Sequence, residues 1–264
     1  MNNVPEIILE LNNLSKSYGG LPAVQNISLT VNRGEIFGFL GPNGAGKTTT
    51  MKCCAGLLRP SGGTIRIAGF DLGRQPASVK ALLGFVPDSP YLYEKLTGRE
   101  MAGFVARLYG VAPEGLRDKV GSYFHLFEME SECDQLIQGY SRGMRQKTAL
   151  VAALLHKPSL LLVDEPTANL DPKSARLVKD IFQSIKAQGG SVFLSTHVME
   201  IAETLCDRIA IIAGGKLRAM GNMEQLRRQI RCGSLEEIFL ALTGGHDPET
   251  QKVLHELTGG EGVR

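Results

Sequence analysis

The 264-residue sequence has no tryptophan, five cysteines and no large excess of either charge. Its net charge of +2, with 21% charged residues, excludes the strongly basic surface typical of nucleic-acid-binding domains, so we expect no nucleic-acid partner. The number of cysteines is odd and none lies at metal-ligand spacing, which argues against a disulfide framework or a zinc site. The cysteines are therefore predicted to be reduced, buried thiols.

Long apolar runs are also missing. The longest, TALVAALL (148–155), is much shorter than the ~20 residues that a membrane-spanning helix needs. The N-terminus, MNNVPEIILE, lacks a basic region followed by an apolar core, so we expect no signal peptide. These absences predict a cytoplasmic protein.

Short apolar runs that predict strands are present along much of the chain, and helical patterns alternate with the later ones. Several are apolar throughout, as strands covered on both faces by helices are. The sequence therefore predicts an α/β fold with a mainly parallel sheet. The predicted strands are IILEL (7–11), EIFGFL (35–40), TIRIA (64–68), LLGFV (82–86), LLLV (160–163), SVFLS (191–195) and RIAII (208–212).

The middle of the chain differs, because its periodicity is helical from about 97 to 156. We predict a helical subdomain at about 88–156, inserted between two parts of one α/β core at about 4–87 and 157–220. Two short amphipathic patterns and a polar tail then predict a C-terminal helical extension over 221–264. Residues 1–243 are predicted to form a single domain.

A glycine-rich loop, GPNGAGKT (41–48), fits the pattern G-x-x-x-x-G-K-[ST] between a predicted strand and a predicted helix. Its glycines allow a tight turn that aims backbone N–H groups at phosphate oxygens, and the helix N-terminus adds positive partial charge there. Lys47 can reach the terminal phosphates, and the Thr48 hydroxyl can ligate Mg²⁺. The predicted ATP contacts in this loop are Gly41, Pro42, Asn43, Gly44, Ala45, Gly46, Lys47, Thr48 and Thr49.

Two adjacent acids end the predicted strand in LLLVDEP (160–166). Ligands of open α/β sheets gather at the carboxyl ends of strands, so both acids are expected near the loop. Asp164 is placed to hold Mg²⁺, directly or through water, and Glu165 to polarise the water that attacks the γ-phosphate. His197 follows another core strand and can hydrogen-bond the γ-phosphate and that water.

Together these motifs resemble the ATP-binding subunit of an ATP-binding cassette (ABC) transporter, from about residue 7 to 243. The most diagnostic stretch is YSRGMRQK (140–147), which corresponds to the family signature usually written LSGGQ. LSKSYGG (14–20) resembles the segment whose aromatic residue, here Tyr18, stacks on adenine. ANLD (168–171) resembles the D-loop, whose Asp171 lies near a dimer interface. The resemblance implies a P-loop NTPase (RecA-like) core with an N-terminal antiparallel β region.

The resemblance also implies a mechanism that needs two subunits. Two copies would pair head to tail, with each ATP between the P-loop of one copy and the signature of the other, so we expect a homodimer. Ser141 and Gly143 stand where the signature contacts the γ-phosphate in trans. Arg142 departs from the family pattern, since it replaces the first signature glycine. ATP and Mg²⁺ are the implied ligands, with Lys47, Glu165 and His197 as catalytic residues.

The stretch FVPDSPYLYEKLTGRE (85–100) falls where the family carries its Q-loop. Asp88 stands in place of the usual glutamine, and we hypothesise that it still contacts Mg²⁺. The segment from Pro87 to Thr97 has two interpretations: a structural linker into the helical subdomain, or a docking site for a helix of a membrane permease. This stretch and SLEEIFLALTGG (234–245) resemble subunits of the exporter (ABC-2-like) branch.

The leading prediction is thus an Mg²⁺-dependent ATPase that lies on the cytoplasmic face of the membrane and powers transport through a separate permease. The resemblance implies that the direction of transport is export. Two alternatives stay open. One is a soluble ABC ATPase, for example in iron–sulfur assembly, although the sequence has no clustered cysteines to support it. The other is a regulatory module that binds ATP without hydrolysing it, against which Glu165 and His197 argue.

Overall fold

The computed structural model describes residues 7–230 and 232–244 of the chain. Four of the described strands form an antiparallel sheet in the order β2-β1-β4-β5. This sheet confirms the predicted N-terminal antiparallel region. Its strands are β1 (Ile7–Tyr18), β2 (Leu21–Asn32), β4 (Gly62–Ile67) and β5 (Phe70–Asp71).

Six other described strands form the central sheet, in the order β10-β9-β3-β8-β7-β6. Neighbouring strands are parallel except β9 and β10, which confirms the predicted, mainly parallel α/β core. The register aligns Leu40 of β3 with Thr196 of β8, and Asp164 of β7 with Ser195 of β8, so three carboxyl ends meet at one edge. These strands are β3 (Ile36–Leu40), β6 (Leu83–Val86), β7 (Leu160–Asp164), β8 (Ser191–Thr196), β9 (Arg208–Ala213) and β10 (Lys216–Gly221).

The described helices begin directly after the glycine-rich loop, with α1 (Lys47–Cys54). Three of them, α3 to α5, lie in the chain between β6 and β7 and pack on one another, where the helical insertion is predicted. The boundaries predicted for the insertion and for the C-terminal extension stay predictions, and residues 245–264 of that extension lie outside the described residues. The remaining helices are α2 (Pro76–Ala81), α3 (Gly98–Leu108), α4 (Leu116–Leu126), α5 (Arg142–Leu154), α6 (Pro172–Ala187), α7 (Met199–Leu205), α8 (Met223–Ile230) and α9 (Leu235–Thr243), with a 3₁₀ turn at Ile137–Gly139.

Three of these strands, β2, β10 and the two-residue β5, are absent from the sequence-based prediction. In β2, Ile27, Leu29 and Val31 are buried and alternate with less buried residues, which is the period of a strand. Asn26 interrupts that alternation, because it has a left-handed φ of 50° beside a register shift. β10 is an edge strand with charged residues on its exposed face, and it lacks the continuous apolar run of the inner strands.

The core fills both faces of the central sheet. Phe193 of β8 packs between Phe37 and Phe39 of β3, with ring centroids 5.7 and 5.6 Å apart, and all three rings are fully buried. All five cysteines lie in the described residues and are free thiols. Burial is as predicted for three of them, while Cys206 and Cys232 are only half-buried. The dense packing holds the strand ends rigidly, which is what a preorganised site requires.

Within residues 7–230 and 232–244, the structure contains no helix with the length and apolar character needed to cross a bilayer.

Candidate active site

The glycine-rich loop joins β3 to α1 and curves around the N-terminus of the helix. Gly44 and Gly46 have left-handed φ angles of 77° and 104°. A Cβ at Gly46 would lie 2.5 Å from the carbonyl oxygen of Ala23, so both the dihedral angle and the space require glycine there. No side chain of the described residues caps α1, which leaves its first N–H groups available to an anion.

Lys47 is the first residue of α1, and its side chain is turned back onto the loop. Its Nζ donates hydrogen bonds to the carbonyl oxygens of Gly41 (2.6 Å) and Pro42 (3.2 Å) and lies 3.7 Å from Glu165 Oε1. Only 6% of Lys47 is exposed, and this burial lowers the pKa of the ammonium group, although the charges of Glu165 and Asp164 act in the opposite direction. The side chain is therefore a buried cation next to a carboxylate.

Asp164 ends β7 and is 1% exposed. Its Oδ1 accepts a hydrogen bond from the hydroxyl of Ser195, the neighbouring residue on β8. Its Oδ2 is buried and has no hydrogen-bond partner among the described residues. A buried carboxylate oxygen without a donor is costly unless a cation or water satisfies it, so Asp164 has one oxygen available for a ligand.

Glu165 takes a left-handed backbone conformation, with φ 52°, directly after the strand. Its N–H donates to the Ser195 carbonyl oxygen at 3.0 Å, and its side chain contacts the last residue of β8 and the residue after it. His197 Nδ1 lies 2.9 Å from Oε1, and the Thr196 hydroxyl donates to Oε2 at 3.3 Å. Non-glycine residues held in this conformation are strained and concentrate at functional sites. The turn thus aims Glu165 between Lys47 and His197.

Lys47 and Glu165 line an open cleft of about 240 Å³, and Asp164 and His197 lie next to it. Asp88 also lines this cleft, and burial raises the pKa of the Asp88 carboxyl. The negative charges of Asp164 and Glu165 raise the Asp88 pKa further, whereas a hydrogen bond from Ser89 and the charge of Arg142 lower it. The described residues lining the cleft are Ala23, Pro42, Asn43, Gly44, Gly46, Lys47, Thr48, Thr49, Asp88 and Glu165.

Eight predicted site residues are absent from that lining, as far as the described residues show: Gly41 and Ala45 of the loop, Asp164 and His197, and the more distant Tyr18, Ser141, Gly143 and Asp171. Tyr18 ends β1 with its ring half-exposed, and Lys16 Nζ lies 5.3 Å from the ring centroid. Ser141 is the N-cap of α5, where its hydroxyl accepts from Met144 N. Gly143 lies against the D-loop, and Asp171 lies against α5.

The signature segment and the D-loop are in direct contact within one copy of the chain. A Cβ at Gly143 would lie 2.8 Å from the Asn169 carbonyl oxygen, which requires glycine at this close approach. Asp171 is the N-cap of α6, accepts two hydrogen bonds from Ser174, and lies 3.7 Å from Lys147 Nζ. The bonds from Ser174 lower the pKa of Asp171 to about 2, so this carboxylate is ionised at neutral pH.

Ser195 and Thr196 are site residues that sequence reasoning did not assign. Each donates a hydrogen bond to one of the two acids. The Ser195 hydroxyl donates to Asp164 Oδ1, and the Thr196 hydroxyl donates to Glu165 Oε2. Their signal was present, because they end a core strand immediately before His197. Only the strand order, with β8 beside β7, shows which residues they meet.

Comparison with known proteins extends these observations. A family model described as ABC transporter matches residues 24–168, more than half of the chain. The ABC transporter ATP-binding protein NatA of Bacillus subtilis is 37% identical over 220 residues, which cover 83% of this chain and 89% of NatA. A fluoroquinolones export ATP-binding protein of Mycobacterium tuberculosis is 38% identical over 248 residues, covering 88% of this chain and 80% of that protein. The solved structure of an ATP-binding subunit of an ABC transporter has a TM-score of 0.84 at 33% identity, over 89% of this chain and 99% of that one.

The Asp88 geometry predicts a pH-dependent effect on stability. Because the pKa of Asp88 is raised above its ordinary value of 3.8, ionisation of this group disfavours the folded state, and the penalty is complete only above the raised pKa. Asp88→Asn is therefore expected to increase the free energy of unfolding of the nucleotide-free protein at roughly pH 8, and the gain disappears as the pH falls through the pKa of Asp88. Urea unfolding at several pH values measures this difference.

Asp180→Asn is the matched control, because Asp180 is exposed on α6 and lies beside Arg176 rather than beside other acids. Asp180→Asn is expected to give no increase in the free energy of unfolding at any of these pH values. Equal stability of Asp88→Asn and the unchanged protein at high pH would contradict a pKa of Asp88 raised by burial and by the neighbouring acids.

Proposed function

This chain belongs to the ABC transporter family as an ATP-binding subunit, and on that premise we propose which of its residues bind ATP, hydrolyse it and report to a membrane partner. It is an ATPase of the exporter branch that powers transport through a separate permease. The observation that carries the assignment of the site is the contact of Lys47 and His197 with one carboxylate, Glu165, at the carboxyl ends of the central strands.

Residues 41–49 bind the phosphates of ATP in this proposal. The uncapped N-terminus of α1 and the two left-handed glycines present backbone N–H groups to the cleft. Lys47 exchanges the carbonyl oxygens of Gly41 and Pro42 for phosphate oxygens, which return a full negative charge to a cation that burial disfavours. Tyr18, outside the cleft lining, supplies the face on which adenine stacks.

Asp164 and Thr48, with Asp88 beside them, are the residues that would hold Mg²⁺. The fit rests on the buried Oδ2 of Asp164, which has no partner among the described residues and is a hard oxygen ligand. No group of three or more His, Cys, Asp or Glu side chains suited to a metal occurs in the described residues. The few oxygen donors of Asp164, Thr48 and Asp88 match Mg²⁺, which usually takes one or two carboxylates together with substrate phosphates. The ion would neutralise charge on the phosphates.

Glu165 is the general base of the proposed reaction. Its carboxylate is held on both oxygens, by His197 Nδ1 and by Thr196, and its strained backbone fixes its direction. A carboxylate that accepts from His197 Nδ1 requires the proton on that nitrogen, so this ring nitrogen is a donor. His197 thereby orients Glu165 toward the attacking water and leaves its second nitrogen free to contact the γ-phosphate.

The site of one copy is incomplete, and we assign the missing part to a second copy. Ser141 and Gly143 start α5 but are absent from the described lining of their own copy's cleft. In a head-to-tail homodimer they would contact the nucleotide of the partner subunit, and Asp171 would lie at the same interface. Two identical sites then follow from the two-fold axis. This subunit would lie on the cytoplasmic face of the membrane, attached through its permease.

The permease docks, in this proposal, on the segment from Pro87 to Thr97, which we call the docking segment. Tyr91, near the middle of this segment, is 99% exposed. Tyr93 packs edge-on against Phe104 of α3, with ring centroids 5.8 Å apart. Beside them is an apolar groove of about 170 Å³ whose lining includes Leu92, Val105 and Tyr109. An aromatic side chain this exposed next to a groove is typical of a protein-binding surface rather than of a linker.

Glu165→Gln tests the catalytic assignment. The amide keeps the shape of the side chain but cannot accept a proton, so we expect phosphate release to fall by at least about 100-fold while ATP binding is retained. Glu236→Gln is the matched control, because Glu236 is exposed on α9, and it should hydrolyse ATP like the unchanged protein. Equal rates for Glu165→Gln and the unchanged protein would refute the role of Glu165.

A double variant, Tyr91→Ala with Tyr93→Ala, tests the docking segment. Loss of two exposed aromatic anchors should reduce the fraction of the chain that sediments with membranes of its native cell by about threefold or more. Leu57→Ala, at a side chain that is 61% exposed just after α1, is the control and should leave that fraction unchanged. An unchanged membrane fraction in the double variant would remove the docking segment as the permease site.

A further inference from the structure

The docking segment is joined by hydrogen bonds to the turn that precedes the signature. Ile137 N donates to the Leu96 carbonyl oxygen at 2.9 Å, and Gln138 N donates to the Glu94 carbonyl oxygen at 3.1 Å. The side chain of Lys95 adds a bond to Gln138 Oε1 at 3.0 Å. Two stretches more than 40 residues apart in sequence are thus paired along their backbones like a short piece of sheet.

Arg145 connects this pair of segments to the start of α5. Its Nη2 donates to Glu94 Oε1 at 2.9 Å, and its Nε donates to the carbonyl oxygen of Tyr140 at 3.4 Å. Tyr140 immediately precedes Ser141, the N-cap of α5. One guanidinium therefore contacts both the docking segment and the residue next to Ser141, and its planar fork of donors fixes the two in one geometry.

The far side of Tyr140 is fixed by packing. Its ring is buried, and its hydroxyl donates to the Glu132 carbonyl oxygen at 2.6 Å. A Cβ on Gly98 would lie 2.5 Å from that hydroxyl oxygen, so Tyr140 has no room to move toward α3. A displacement of the docking segment must then be taken up at the Arg145 side, next to Ser141.

Stability alone does not account for this arrangement. Glu94 is 58% exposed at its side chain, and ion pairs this exposed add at most a small amount to folding free energy. What the contact supplies is a defined distance between two segments. It differs in this from the i,i+4 pair of Arg228 and Glu224 on α8, which lies within a single helix.

We propose that Glu94 and Arg145 are positioning residues that couple the docking segment to Ser141. This inference rests on the proposed function, because it takes the docking segment as the permease site and Ser141 as a contact to the partner's nucleotide. Two parts of the docking segment contact different nucleotide sites. Asp88 near its start lines the cleft of its own copy, whereas Glu94 is bound to the signature that serves the other copy.

A single permease contact is therefore connected to both nucleotide sites of a homodimer. One connection runs through Asp88 to the site on the same copy, and the other runs through Glu94 and Arg145 to the site on the partner. Coupling of this kind works in both directions, so ATP bound at the signature must also restrain the docking segment. That reverse direction can be measured without the permease.

The experiment is hydrogen exchange on a Glu165→Gln background, with and without ATP and Mg²⁺. In that background, nucleotide should slow exchange in residues 137–145 and also in residues 91–97. Adding Arg145→Met should retain the slowing in 137–145 and weaken it in 91–97 by about threefold or more. Arg145→Lys keeps the charge beside Glu94 and should recover part of the response, while Arg228→Met is the control and should match the background.

The outcomes separate the inference from its premise. If residues 137–145 show no slowing in the background, the two-copy site itself is refuted, and the inference falls with it. If they are slowed, but residues 91–97 respond equally in the Arg145→Met variant, the two-copy site stands and the coupling through Arg145 is refuted. Exchange without nucleotide identifies a merely structural role, because loosening of α5 would then speed exchange in 137–145 before ATP is added.

Discussion

A buried hydrogen bond between Ser195 and Asp164 joins the ends of two parallel strands, and the geometry of the site depends on the register that it marks. That register lets Glu165 N–H donate to the Ser195 carbonyl oxygen, and this bond accompanies the left-handed turn at Glu165. The turn directs the Glu165 carboxylate between Lys47, at the start of α1, and His197, which follows β8. A slip of one residue between β7 and β8 would exchange inward and outward side chains and separate all three.

Sequence alone was sufficient for the parts of the site that depend on strand ends. The glycine-rich loop, Asp164, Glu165 and His197 each follow an apolar run, and parallel strands bring their carboxyl ends to one edge, so their meeting could be predicted. The pairing of Ser195 with Asp164 and of Thr196 with Glu165 could not, because it depends on β8 lying beside β7. Likewise, β2 escaped prediction because Asn26 adopts a left-handed conformation that interrupts its alternation. The contact of Arg145 with Glu94 links residues that no local pattern relates.

Two charged departures from the family pattern, Asp88 and Arg142, are electrostatically connected. The charge of Arg142 lowers the pKa of Asp88, opposing the effects of burial and of the neighbouring acids. A carboxylate placed near two others is unfavourable unless cations are bound beside it. Asp88 therefore makes the nucleotide-free protein less stable than a glutamine at this position would. In the function proposed above, its place at the start of the docking segment would give the same residue a part in metal binding and in reporting to the permease. Relatives that are named for transport favour this account over a soluble or purely regulatory role.

The central claim is that each ATP site is built from the loop of one copy and the signature of another. Mixing two inactive variants tests it most directly. Lys47→Ala removes the phosphate-binding lysine, and Ser141→Arg blocks the signature, so each variant alone should hydrolyse almost no ATP. In a mixed dimer one site combines the intact loop of the second variant with the intact signature of the first, and an equal mixture should recover about one quarter of the normal rate if the two sites are independent. A mixture no more active than its separate components would contradict the account.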